Sequence, residues 1–265
     1  MSELLALARR PYSADDMVAL AAAGFTDCDL DPQALDGDPA ALDMVRAVRH
    51  GFPDDHAPLS PQADRLDRTA IRYVIDGPAP DLAALDHLHT LGVRGIRHRL
   101  ADDAATLAAQ LETIGRDADA IAPLGWHIEL VPGRDLSTLL RHEWELTTLP
   151  VVLCLSGLPA HVARFEADDE VLGFVLDLLH MGRTYVALGG LETGERLRRF
   201  TNAALAVRSD RLLWGSGSAA PALSAGDRHG RIARSLAVLL RMIPDEDDRA
   251  AVLVQNPARL YGFEG

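Results

Sequence analysis

Short runs of β-branched and other apolar residues recur along the chain, and between them apolar positions return at helical spacing. The first pattern marks strands, and the second marks helices with one buried face. Seven runs read as strands: Phe25–Leu30, Ala70–Ile75, Gly92–Arg99, Trp126–Val131, Val151–Leu155, Thr184–Leu188 and Leu212–Gly215. Helical spacing covers Asp81–Leu91, Ala105–Ile121, Leu136–Leu146, Ala160–Met181 and Glu195–Ala206, and a longer C-terminal region spans Arg228–Leu240 and Asp245–Val254. Ser13–Leu20 reads as the capped start of a further helix, and residues 1–10 also look helical. Residues 51–69, rich in Pro, Asp and His, read as a loop over one end of the fold.

Strand–helix alternation predicts an α/β fold with a parallel sheet and helices outside it. Right-handed crossovers would close that sheet into a (β/α) TIM-type barrel. The whole chain, 1–265, reads as a single domain, with no internal repeat or linker. A TIM barrel has eight strands and the sequence marks seven, so its first strand is expected to be missing or atypical.

Alternation within strands sets the candidate chemistry. Arg97 and Arg99 share one strand face, and His127 and Glu129 share a face of the next strand. If Trp126 and Ile128 pack against helices, His127 and Glu129 point into the barrel. Such a pair could act as general base and orienter. It could equally be a buried polar layer, with Glu129 neutralised by Arg97 or Arg99. Arg97 suits a carboxylate ligand, because a planar guanidinium donates two parallel hydrogen bonds to it. Cys154, between Leu153 and Leu155, reads as a core cysteine. His87 and His89 lie on one helix without sharing a face, and His50 and His56 flank the long loop near the expected barrel mouth.

Composition narrows the partners. The formal charge is −13, with no basic stripe to offset it, which argues against nucleic acid and anionic membranes. All 26 Lys and Arg residues are arginine, so lysine Schiff-base or general-base chemistry is excluded. No run of eighteen apolar residues marks a membrane span, and the N-terminus has the wrong charge order for a secretory signal. Two cysteines, Cys28 and Cys154, make no disulfide framework, and a cytoplasmic location is expected.

Residues 212–221 read Leu-Leu-Trp-Gly-Ser-Gly-Ser-Ala-Ala-Pro, and 255–263 read Gln-Asn-Pro-Ala-Arg-Leu-Tyr-Gly-Phe. With Leu91–Arg97 and Leu124–Leu130, these segments resemble, in order, the amidohydrolase-related family. That family includes metal-dependent decarboxylases and metal-independent dicarboxylate lactonases. The resemblance runs from about Asp81 to Phe263 and implies the barrel fold. It also implies that Arg97 holds a substrate carboxylate, and that Glu129 stands where a Gln is common. The departures are as informative. Gly217 stands for the family's catalytic Asp and Ala220 for a His. Cys154 stands for an Asp and Leu155 for a His, and no Asp-x-His-x-His occurs. These losses lead to an expectation of no metal and no cofactor. Asp227, Arg228 and His229 follow the last strand and could supply replacement chemistry or substrate contacts.

The expectation is a metal-independent barrel that acts on or binds a small carboxylated molecule. Arg97, Arg99 and His229 would bind it. Glu129 and His127 would activate water if a lactone or related C–O or C–N bond is cleaved. The alternatives are a catalytically silent barrel serving as a binding or partner subunit, and a biosynthetic cyclase or isomerase. An incomplete barrel would also expose an open edge for a partner chain or a second copy.

Overall fold

The computed structural model describes residues 26–28, 46–50, 71–132, 148–155, 169–188, 195–215 and 235–263. It contains one sheet of eight strands in sequential order, with every neighbouring pair parallel. The strands are β1 Thr26–Asp27, β2 Arg46–His50, β3 Ile71–Asp76, β4 Val93–Arg99, β5 His127–Val131, β6 Val151–Cys154, β7 Thr184–Leu188 and β8 Leu212–Trp214. Among the described residues, four helices lie between them: α1 Leu82–Thr90, α2 Ala104–Ile121, α3 Asp169–His180 and α4 Glu195–Arg208.

The barrel architecture is as the sequence predicts, with one correction to the strand count. The strand absent from the count of seven is β2, inside the chain. Its sequence, Arg-Ala-Val-Arg-His, carries one large apolar residue, so no apolar run marks it. The first strand is present but only two residues long. Beyond it the Cys28 N–H donates to the Trp214 carbonyl at 3.0 Å, which bridges the two outer strands. The open edge expected from seven strands is therefore spanned at that point. The segments 1–10, 13–20, 51–69 and 136–146 lie outside the described residues.

Local chemistry fixes the helix ends. The Asp81 carboxylate caps α1 by accepting from the Ala84 N–H at 2.9 Å, and Asp103 caps α2 by accepting from Thr106 at 2.9 Å. After α2, a 3₁₀ turn over Ala122–Leu124 ends at Gly125, whose φ of 66° turns the chain into β5. A residue with a Cβ would be strained there.

Two apolar layers follow from the alternation of β residues. Outward-facing Ile96, Trp126, Ile128, Leu130, Leu153, Val186, Leu212 and Trp214 pack against Leu85, Leu88, Leu107, Ile114, Leu179 and Phe200 of the helices. Inside the barrel a second cluster joins Cys28, Val48, Val74, Val131, Val152, Cys154, Tyr185, Ala187 and Leu213 with Tyr261 and Phe263. The last two come from the C-terminal segment. Asn256 clamps that segment to the start of β8 by donating to the Ser209 and Leu212 carbonyls at 2.8 and 2.9 Å. Buried Arg72 holds its end, donating to the carbonyls of Tyr261 at 3.1 Å and Gly262 at 2.8 Å.

Candidate functional site

The pairing of β4 with β5 builds the polar centre of the barrel. Register places Gly95 beside His127, and Arg97 beside Glu129. A Cβ on Gly95 would lie 2.7 Å from the His127 ring, so the glycine leaves the room that the imidazole fills. Arg97 donates to the same Glu129 oxygen from Nε at 2.9 Å and from Nη2 at 2.8 Å. Between the two salt-bridge partners that the sequence allows for Glu129, the structure selects Arg97. Arg99, further along the same face, is exposed.

Glu129 is the hub of a wider network. Its other oxygen accepts from the Tyr261 hydroxyl at 3.0 Å and lies 3.4 Å from His127 Nε2. A carboxylate can only accept, so His127 Nε2 carries the proton in that contact. The Cys154 thiol donates weakly to Glu129 at 3.7 Å. His50, at the end of β2, reaches both members of the ion pair. Its Nε2 lies 3.4 Å from the Glu129 oxygen held by Arg97, and it also contacts Arg97 Nη2. The His127 and Tyr261 rings meet edge to face, with centroids 5.0 Å apart.

The electrostatics follow from depth. Burial by itself would raise the Glu129 pKa. The Arg97 charge, with the hydrogen bond from His127 and the His50 ring beside the carboxylate, instead holds it well below the usual carboxylate range. Burial, and then the Glu129 charge, push the Tyr261 phenol well above its ordinary value. The Cys28 thiol is pushed up by burial and by the charges of Asp27 and Glu129. Depth is graded within the cluster. The Glu129 and His127 side chains are 1% exposed, while Arg97 is 9% and His50 10% exposed. Arg97 and His50 thus form its solvent-side surface.

The structure brings together Arg97, Glu129 and His127, with Arg99 at the strand end. It adds His50 and Tyr261, which the sequence did not assign to the centre. A signal for each existed: His50 flanks the long loop, and Tyr261 sits in the Asn-Pro-Ala-Arg-Leu-Tyr-Gly-Phe motif. His229, with Asp227 and Arg228, lies outside the described residues, as do Gly217 and Ala220.

The amidohydrolase family model (Amidohydro_2) matches residues 8–263. The chain belongs to the amidohydrolase family. Solved members show the same fold at low identity. A candidate 2-pyrone-4,6-dicarboxylic acid hydrolase from Pseudomonas putida aligns with a TM-score of 0.63 and 21% identity, covering 91% of this chain and 97% of that one. A second candidate 2-pyrone-4,6-dicarboxylic acid hydrolase, from Acinetobacter baumannii with citric acid bound, gives 0.52 and 16%, covering 82% of this chain and 84% of that one. An amidohydrolase from Burkholderia multivorans with bound zinc gives 0.54 and 20%, covering 89% of each chain. No curated protein sequence matches this one.

A metal centre is the other chemistry this family implies. Among the described residues no three His, Cys, Asp or Glu side chains converge in a set that could hold a metal ion. The buried carboxylate at the centre is already neutralised by an arginine, which occupies the cation's place in the charge balance. The described residues do not fit a resident metal. No helix among them is long and apolar enough to cross a membrane.

Proposed function

We propose that this amidohydrolase-family barrel binds and acts on a small carboxylated organic molecule, without a metal, at the C-terminal ends of its strands. In TIM barrels that end is where ligands meet catalytic groups. The observation that carries the reading is the guanidinium of Arg97, fixed by Glu129 on the solvent side of the cluster, with exposed Arg99 two residues further along the same face. A pre-oriented arginine binds a carboxylate at low entropic cost. The citric acid bound by the Acinetobacter baumannii protein and the dicarboxylic acid in the names of two neighbours fit the same ligand class. Cleavage of a lactone or related C–O or C–N bond is the reaction class that accords with those names.

In this reading Glu129 and His127 serve the site by holding Arg97 and its surroundings in place. Glu129 accepts from Arg97 and Tyr261 and lies close to His127 and His50, which leaves it poorly placed to take a proton from water. That saturation favours the second reading, a silent barrel that binds a ligand or partner without turning it over.

A thermal-shift series with citrate and aromatic dicarboxylates, alongside an ultraviolet assay of 2-pyrone-4,6-dicarboxylate hydrolysis, separates the two. Stabilisation by carboxylates, weakened in Arg99→Ala and lost in Arg97→Ala, with turnover, supports the hydrolase. The same stabilisation without turnover of any lactone supports the silent barrel. No stabilisation by any carboxylate overturns the carboxylate reading. Arg99→Ala changes an exposed residue, so its result does not depend on the survival of the buried pair.

A further inference from the structure

The charge balance of the cluster assigns a specific task to His50. The positive charge of Arg97 is already matched by Glu129, at 2.8 Å. A ligand carboxylate arriving beside Arg97 would therefore leave a net negative charge in a largely buried site, which is costly unless a proton enters with it. The Nη2 group of Arg97 is also divided between Glu129 and the Nε2 of His50. An unprotonated Nε2 accepts from Arg97, whereas a protonated one can only donate, and Glu129 lies 3.4 Å away to receive that bond.

We propose that binding of a carboxylate at Arg97 is coupled to uptake of one proton by His50, whose Nε2–H then donates to Glu129 and releases the Arg97 guanidinium to the ligand. This rests on the carboxylate-binding reading above and names the residue that makes room for the ligand's charge. The charged and titratable groups on the described elements around His50 are Asp27 on β1 with Cys28 just beyond it, Arg72, Tyr73 and Asp76 on β3, Arg94, Arg97, His98 and Arg99 on β4, His127 and Glu129 on β5, and Tyr261. The other imidazoles among them are His98, whose Nε2 lies 3.0 Å from the Asp117 carboxylate of α2, and His127. In His127 the Nε2–H is already committed to Glu129, and a second proton would sit on Nδ1, which is buried with no hydrogen-bond partner among the described residues.

The sign follows from linkage. Affinity is full below the free-site pKa of His50 and falls about tenfold per pH unit above it, until the bound-site pKa is reached. The test is calorimetric titration with benzene-1,3-dicarboxylate, which stays a dianion from about pH 6 to about pH 8 while histidine titrates. It is repeated in two buffers of different ionisation enthalpy. Uptake of about one proton per ligand, with affinity falling as pH rises, is expected of the wild type. His50→Gln should bind with no uptake and no pH dependence, and a histidine NMR resonance absent from that variant should shift on ligand addition. Binding without proton uptake in the wild type overturns the proposal and leaves the carboxylate reading standing. Uptake that survives in His50→Gln but disappears in His127→Gln overturns the assignment to His50. Absence of binding at every pH overturns both.

Discussion

The interior of this barrel has two unlike halves. From β4 to β5 the inward side chains include Arg97, His127 and Glu129, joined from neighbouring elements by His50 and Tyr261. From β6 to β8 they are Val152, Cys154, Tyr185, Ala187 and Leu213, a mostly apolar surface. The fold imposes the same inward positions on both halves, so the contrast belongs to the side chains. A polar half can be buried only when its members largely satisfy one another, and this half gathers around one carboxylate, with His127 Nδ1 left without a hydrogen-bond partner among the described residues. The apolar half needs volume, not partners. The two should therefore fail differently when cut.

The largest effect should come from the polar half. Glu129→Ala leaves the Arg97 charge buried without its carboxylate partner. It should cost about 3–5 kcal/mol in urea unfolding, the range for breaking a buried pair on one side. The cost should depend on acid. The Glu129 pKa is depressed in the folded state, so its stabilisation is complete above the unfolded value of about 4.3 and is lost as pH falls through the folded value. The gap between wild type and variant should narrow only below about pH 4. A gap that is flat with pH would remove the ion pair from the account.

Leu213→Ala tests the other half. Leu213 is fully buried among the inner apolar side chains. Lost burial and the cavity left behind should cost about 2–4 kcal/mol, with no change in the acid dependence that Glu129 confers. If this variant also altered the acid limb, the halves would be coupled and the contrast too simple.

What the sequence shows of this interior depends on how each group announces itself. Alternation in β4 and β5 is enough to put Arg97 and Glu129 on facing strands and to foresee their pairing, because regular parallel neighbours leave little freedom in register. The apolar half is equally legible, since Val152 and Cys154 sit in an uninterrupted apolar run. β2 escaped because, among its described side chains, Val48 and His50 carry its interior role, and Arg-Ala-Val-Arg-His has no period that favours a strand. Tyr261 escaped for another reason. Its contact with Glu129 spans 132 positions and depends on how Asn256 and Arg72 seat the C-terminal segment. No local pattern encodes such a contact.

That seating makes Tyr261→Phe a sharper probe of the polar half. The substitution keeps the ring that packs on His127 and removes only the hydroxyl that donates to Glu129 at 3.0 Å. It should cost about 1.5–2 kcal/mol, the scale of a hydrogen bond to a charged group. In a Glu129→Ala background the same change should cost much less. A double-mutant cycle with no coupling energy would place the hydroxyl's partner elsewhere.

The smallest effect lies where the two halves meet. Cys28 belongs to the inner apolar cluster, yet it feels the charges of Asp27 and Glu129. Its pKa is raised by burial first and by those charges second, so the fold needs the neutral thiol. The stability this contributes is complete below the unfolded cysteine pKa of about 8.5 and is lost as pH rises toward the folded value. From about pH 8.5 to about pH 9.5, the wild type should lose about 1 kcal/mol relative to Cys28→Ala, measured by urea unfolding with thiols kept reduced. A loss shared equally by both proteins would mean that neither burial nor the nearby charges hold the thiol neutral in the fold, and that Cys28 does not mark the meeting of the halves.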